Sequence, residues 1–110
     1  MNIETTFQDQ INVVRLRGQI DSRNAPVVQE KILPNVEPGS RTLLDMSGVS
    51  YMSSAGLRML LLLTRQITAT DSKLVLVGLS EELADTMAIT GFLPFFEAYE
   101  TEAEGLIALQ

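Results

Sequence analysis

LLDMSGVSYMSSAGLRMLLLL, residues Leu43–Leu63, is the stretch that decides the fold of this 110-residue chain. It begins with a short apolar run and continues through small hydroxyl-bearing residues and Gly48. It ends in an unbroken apolar segment, Met59–Leu63, which we interpret as helical. This order predicts a strand, then a loop, then a helix.

Two serines, Ser53 and Ser54, lie where this helix is predicted to begin. A serine at that position accepts a hydrogen bond from one of the unpaired N–H groups of the first turn, which is an ordinary structural role. Ala55 and Gly56 place almost no side chain beside the hydroxyls, so another protein can approach them closely. A phosphate there would face the positive end of the helix dipole. The serines are therefore candidate helix caps and candidate phosphoacceptors.

The stretch from Leu43 to Leu57 resembles the signature of bacterial STAS domains, in particular anti-sigma factor antagonists. The resemblance extends along nearly the whole chain and implies one STAS domain over residues 1–110. In that family a partner kinase phosphorylates the serine two residues before the glycine, which corresponds to Ser54 here. Many antagonists carry an aspartate immediately before this serine, and this chain has Ser53 instead, so Ser53 is the alternative acceptor.

A second short element carries the same resemblance. Gly18–Asp21 resembles the Gly-x-x-Asp element that precedes the first helix of the family, where this loop and the serine loop both touch the kinase. The resemblance implies that Asp21 contacts the partner, whereas its spacing alone favours a helix cap, a role also open to Ser22. The full set of partner-binding candidates is Asp21, Ser22, Asp45, Ser53, Ala55, Gly56 and Arg58.

Two of these candidates are charged residues on either side of the serine loop. Asp45 either terminates the third strand or contributes a carboxylate near Ser54. Arg58 lies one helical turn after Ser54, where it is close enough to pair with a phosphate. The alternative for Arg58 is a solvated arginine on the helix surface.

Hydrophobic spacing and turn residues predict the remaining elements. A hairpin around Gln8 and Asp9 joins the first two strands, and Thr101 with Glu104 forms a capping box for the last helix. The predicted strands are Asn2–Phe7, Gln10–Arg17, Arg41–Met46, Lys73–Val77 and Phe95–Tyr99. The predicted helices are Asn24–Leu33, Ala55–Thr68, Glu81–Thr90 and a helix after Thr101.

Strands and helices alternate after the hairpin, so right-handed crossovers should lay those strands parallel in one sheet. We therefore expect an α/β fold. The resemblance implies the same architecture, a mixed sheet of four or five strands with about four helices mostly on one face.

Composition narrows the possible functions. The chain has no cysteine and no histidine, which excludes disulfides, thiol chemistry and histidine-based metal sites or general bases. A serine nucleophile would lack its usual base, and no glycine-rich nucleotide motif is present, so we expect a protein that is not an enzyme and needs no cofactor or metal.

The charge and the apolar runs exclude further classes of partner. A formal charge of −6 argues against direct contact with nucleic acid. The longest apolar run, Met59–Leu63, is too short to span a membrane, and Glu4 stands where a signal peptide would carry positive charge. We expect a cytoplasmic bacterial protein without a membrane partner.

The resemblance implies a regulatory binding module. In its unphosphorylated form it binds an anti-sigma factor serine kinase and so frees a sigma factor, and phosphorylation on Ser54 releases the kinase. The kinase supplies ATP and magnesium, and a serine phosphatase is a further expected partner. One alternative is a STAS scaffold subunit of a larger signalling or lipid-transport complex, without phosphate cycling. Another is a small-ligand binder that uses a pocket beside Asp21 and Asp45.

Overall fold

The first two strands, β1 (Asn2–Gln8) and β2 (Ile11–Ile20), form an antiparallel hairpin in the computed structural model, which describes residues 1–110. Asp9 and Gln10 turn the chain with φ values of 52° and 66°, as a two-residue type I′ turn requires. The predicted hairpin is confirmed, and its turn lies one residue later than the sequence pattern suggested.

Three further strands complete a five-stranded mixed sheet in the order β1-β2-β3-β4-β5. They are β3 (Arg41–Met52), β4 (Lys73–Val77) and β5 (Ala98–Tyr99), and β2 to β5 run parallel. The helices between them are α1 (Ala25–Ile32), α2 (Ser54–Thr68) and α3 (Glu81–Ile89), and α4 (Glu102–Ala108) follows β5. The predicted α/β architecture is confirmed. No helix has both the length and the apolar character that crossing a bilayer demands.

The helices cover the two faces of the sheet unequally. Buried side chains of α1, α2 and α3 join a core of 19 residues on one face. On the other face a core of 6 residues includes Leu109, at the end of α4. Successive strand residues point to opposite faces, so Leu44 of β3 belongs to the larger core and Leu43 to the smaller one. The expectation of helices mostly on one face is confirmed.

Two strands are longer than the sequence predicted. β2 continues past Arg17 to Ile20, and β3 continues past Met46 through Gly48 to Met52. The prediction of a loop at Gly48 is wrong because this glycine lets the two strands approach each other. A Cβ atom built there would lie 2.7 Å from the carbonyl oxygen of Leu16.

β3 pairs with β4 only as far as Asp45. Beyond this residue the sheet continues as two paired strand segments, Arg17–Ile20 of β2 and Gly48–Met52 of β3. We call this pair of segments the β2–β3 ribbon. It carries the chain directly to the two serines at the start of α2.

The last strand is shorter than predicted. Leu93–Phe95 form a 3-10 turn, and β5 contains only Ala98 and Tyr99. Pro94 lies within that turn and has no N–H to donate to a neighbouring strand. The predicted capping box is confirmed, since the Thr101 hydroxyl and the Glu104 carboxylate each accept a backbone N–H of the other residue.

One buried polar atom supplies a stability prediction. The Thr42 hydroxyl is buried without a hydrogen-bond partner, which costs free energy that a methyl group would not cost. Thr42→Val is expected to raise the free energy of unfolding by about 1 kcal/mol, measured by urea denaturation. The matched control is Thr64→Val, because the buried Thr64 hydroxyl donates to the Leu60 carbonyl oxygen at 2.9 Å. An equal gain in both variants would contradict this explanation.

Candidate functional site

The serine loop is held by the end of the β2–β3 ribbon. Ile20 and Met52 are the last paired residues of the ribbon, and the Ser53 N–H donates to the Ile20 carbonyl oxygen at 2.9 Å. Gly56, in the first turn of α2, packs against the same two residues. A Cβ atom on Gly56 would lie 2.6 Å from the Met52 Cγ and 3.0 Å from the Ile20 oxygen. The start of α2 is therefore fixed against the ribbon, and only glycine fits at the point of contact.

The two adjacent serines have different roles. Ser53 is the N-cap of α2, in an extended conformation, and its hydroxyl accepts the Gly56 N–H at 3.2 Å. Ser54 is the first residue of the helix and is exposed, whereas Ser53 is half-buried. The cap bond belongs to Ser53, so the Ser54 hydroxyl is free of it and faces solvent.

The surroundings of Ser54 favour negative charge. The N-terminus of a helix stabilises an anion through its dipole and its unpaired N–H groups. α2 contains no acidic residue, and its first cation, Arg58, is exposed one turn after Ser54. Arg58 makes no ion pair within the chain, because the four ion pairs involve Arg15 twice, Arg23 and Lys73. A phosphate on Ser54 would have an available arginine at helical spacing.

The loop around Asp21 lies directly beside the serine loop. Asp21 follows Ile20, whose carbonyl oxygen accepts the Ser53 N–H. The Asp21 carboxylate accepts the N–H groups of Arg23 at 2.9 Å and Asn24 at 3.3 Å, and pairs with the Arg23 guanidinium at 3.3 Å. The N-cap residue of α1 is Asn24, so Asp21 caps the preceding turn and not the helix itself. Ser22 is exposed in the same turn.

These bonds change the acidity of Asp21. The hydrogen bond from the Arg23 N–H is the largest cause that lowers the pKa of Asp21 from its ordinary value of 3.8, and the Arg23 side chain and the Asn24 N–H lower it further. Because the pKa of Asp21 is lower in the folded chain than in the unfolded chain, ionised Asp21 stabilises the loop at pH values above the unfolded pKa. This stabilisation is lost as the pH falls through the lowered pKa of the folded chain. Asp21 is ionised near neutral pH.

The structure does not bring Asp45 to the serine loop. Asp45 lies within β3, seven residues before the strand ends at Met52, which separates it from the loop by roughly 20 Å along the strand. Its carboxylate accepts the Ser47 N–H at 2.9 Å and lies 3.9 Å from the Arg15 Nε. Both the expected strand end at Asp45 and its expected place near Ser54 are wrong, because β3 continues through Gly48.

A polar cleft beside Asp45 has a volume of about 260 Å³ and also involves Arg15 and Arg17. Arg15 bridges Asp45 and Glu102, with its Nη2 at 2.6 Å from the Glu102 Oε1. The expected pocket shared by Asp21 and Asp45 is not formed, since Asp21 does not line this cleft. No group of three or more histidine, cysteine, aspartate or glutamate side chains is arranged as a metal site.

Two exposed apolar side chains, one on the ribbon and one on α2, were not predicted from the sequence. Tyr51, on the ribbon, is 54% exposed, and Leu62 is 46% exposed. Leu62 stands four residues after Arg58, which stands four residues after Ser54, so the three share one face of α2. This spacing of four residues could have predicted that Leu62 is exposed. It was not recognised because Leu62 lies within the continuous run Leu60–Leu63.

Comparison with known proteins identifies relatives along nearly the entire chain. The model of the STAS domain family matches residues 2–105. The chain is similar to an anti-sigma-B factor antagonist of Staphylococcus aureus, with 31% identity over 106 residues that cover 94% of this chain and 98% of the relative.

Two solved structures share the fold at lower sequence identity. An anti-sigma factor antagonist from Mycobacterium paratuberculosis has a TM-score of 0.83 at 22% identity, covering 98% of this chain and 92% of that chain. The Bacillus cell fate determinant SpoIIAA in its phosphorylated form has a TM-score of 0.72 at 20% identity, covering 99% of this chain and 100% of that chain.

The different roles of the two serines lead to a stability prediction. Ser53→Ala removes the cap and is expected to lower the free energy of unfolding by about 1 kcal/mol. Ser54→Ala is expected to change it by less than about 0.5 kcal/mol, because this side chain is exposed and does not form the cap. Urea denaturation of both variants and the unmodified chain measures the difference. A larger loss in Ser54→Ala than in Ser53→Ala would show that the cap is assigned to the wrong serine.

Proposed function

The chain belongs to the STAS domain family, and from this membership we propose that it is an anti-sigma factor antagonist switched by phosphorylation of Ser54. Unphosphorylated, it binds an anti-sigma factor serine kinase and so frees a sigma factor. Phosphorylated, it releases the kinase. The observation that supports this proposal most directly is the exposed Ser54 hydroxyl, free of the cap bond, at the positive end of α2.

The proposed contact surface surrounds Ser54. It includes the Asp21–Ser22 turn on one side and Ala55, Gly56 and Arg58 on the other, with Ser53 between them. The hydrogen bond from Ser53 to Ile20 keeps the two parts together. Tyr51, three residues before Ser54, adds exposed apolar area, and Leu62 lies further along the same face of α2. Asp45 is not part of this surface, because its carboxylate is engaged elsewhere on β3.

A phosphate would act as the switch through its charge. Phosphorylation adds about −1.5 to −2 charge at neutral pH. Within a packed contact this charge must be desolvated, or it is repelled by carboxylates of the partner. A coupling free energy of about 2 to 3 kcal/mol between phosphate and partner would change the affinity about 30- to 150-fold. One modified side chain is thus sufficient to change the binding state.

In this proposal the partner proteins carry out the transfer and the removal of the phosphate. The kinase supplies ATP and magnesium, and a serine phosphatase restores the hydroxyl. This chain contributes the acceptor, since it has neither histidine nor cysteine to serve as a general base or a nucleophile. We therefore propose that it acts as a binding module and not as an enzyme.

Substitution of Ser54 tests the switch. Ser54→Ala should keep its affinity for the cognate kinase but accept no phosphate, whereas Ser54→Asp should bind at least about 10-fold more weakly, because it carries a permanent negative charge. Incubation with the kinase and ATP, followed by intact mass measurement, gives the phosphate count, and isothermal titration calorimetry gives the affinities.

Ser53→Ala is the matched control and should still take up one phosphate. Full phosphorylation of Ser54→Ala would show that Ser53 is the acceptor. If the unmodified chain binds the kinase but takes up no phosphate, it is a scaffold subunit without phosphate cycling.

The role proposed for Arg58 has its own test. Pairing with Arg58 should lower the second pKa of a phosphate on Ser54 below its ordinary value of about 6. Arg58→Gln should therefore raise that pKa, measured by phosphorus NMR titration of the phosphorylated protein. The control is Arg65→Gln, since Arg65 lies near the other end of α2, 5.9 Å from the centre of the Phe95 ring. Equal pKa values in all three proteins would exclude the pairing.

A further inference from the structure

The charged residues are unevenly distributed along the chain. All eight basic residues lie at or before Lys73, together with seven acidic ones, so residues 1–73 have a formal charge of +1. Residues 74–110 contain seven acidic residues and no basic residue, for a formal charge of −7. The part of the fold built from α3, β5 and α4 is therefore strongly acidic, whereas α2 contains no acidic residue.

An open groove of about 820 Å³ lies within this acidic part. α3, the 3-10 turn at Leu93–Phe95, β5 and the start of α4 surround it. Its apolar floor is formed by Leu79, Ala84, Leu93 and Ala98. Leu79 and Leu93 also pack against the larger core, so the floor is held in place by the interior of the domain. No residue of the serine loop lines the groove.

Three carboxylates border this apolar floor, namely those of Glu81, Glu100 and Glu104. Glu104 is occupied by the capping box, where its Oε1 accepts the Thr101 N–H at 3.1 Å. Glu81 and Glu100 are exposed, and neither belongs to any of the four ion pairs of the chain. Two negative charges therefore stand beside apolar surface and form no ion pair with a cation of this chain.

We propose that this groove binds a cationic, amphipathic segment of a partner protein, at a surface separate from the serine loop. Apolar side chains of that segment would cover the floor, and its lysine or arginine side chains would pair with Glu81 and Glu100. Opposite charge at the border accelerates encounter and selects the partner, while the apolar floor supplies contact area. A nucleic acid or an anionic membrane would be repelled by the same carboxylates.

A second copy of this chain is a poorer occupant than a separate partner. The exposed face of α2 is both basic and apolar, and its contact with the groove of another copy would be head-to-tail, which does not close into a dimer. Arg65, one of the two arginines of α2, already stacks on the Phe95 ring of its own chain at 5.9 Å.

The probe for this proposal is a peptide made of two Lys-Leu-Ala-Lys-Leu-Ala-Lys repeats, added to the isotope-labelled protein and followed by amide NMR shifts. Saturable shifts are expected at Leu79, Ala84 and Ala98, and the same peptide with glutamate in place of lysine should cause none. Glu81→Gln combined with Glu100→Gln should weaken binding about tenfold. The control with the same net charge is Glu30→Gln combined with Glu37→Gln, which should bind as the unmodified chain does.

A second pair of variants tests the apolar floor without changing charge. Ala84→Gln fills part of the groove and should weaken peptide binding, whereas Ala88→Gln, at an exposed position of the same helix, should not. Three results would overturn the proposal. The amide shifts could fail to saturate with peptide, or they could spread to residues around carboxylates outside the groove. Peptide binding could also be weakened equally by the Glu81/Glu100 pair and the Glu30/Glu37 pair of substitutions. Groove shifts that depend on protein concentration without peptide would identify a second copy as the occupant and overturn it as well.

Discussion

The hydrogen bond from the Ser53 N–H to the Ile20 carbonyl oxygen is the contact on which the candidate site depends. It joins the start of α2 to the end of β2 and places the Asp21 turn beside the serine loop. Gly56 reinforces the junction, because any larger residue would meet Met52 and Ile20 at less than a van der Waals distance. The exposed hydroxyl of Ser54 is thus presented on rigid backbone, which lowers the entropy cost of presenting it to a partner.

The neighbouring serines show how a structural role and a functional role can coexist in one loop. Ser53 satisfies an N–H of the first turn and is half-buried, whereas Ser54, one residue later, has its side chain in solvent. If the capping serine itself accepted the phosphate, its hydroxyl would have to leave the cap bond. With two serines, modification of Ser54 leaves the cap in place, so a phosphate would change the surface while the helix stays intact.

The elements of the domain differ in electrostatic character. α2 has exposed arginines and no acidic residue, while α3, β5 and α4 concentrate negative charge around an apolar groove. Surfaces of opposite sign on one small domain favour partners of different chemistry. This arrangement keeps the proposed switch surface and the proposed groove electrostatically distinct.

The sequence by itself determined the fold class, the hairpin, the parallel strands and the position of the serine loop, because hydrophobic spacing and turn residues are local signals. Only the tertiary structure decided that β3 runs through Gly48, because the reason is its contact with the Leu16 carbonyl on another strand. The same holds for Asp45, whose partner Arg15 also pairs with Glu102, 87 residues further along the chain than Arg15. The choice of Ser53 as the cap and the floor of the acidic groove likewise depend on the packing of distant segments. Sequence spacing reports which residues share an element, whereas contacts between elements exist only once the chain has folded.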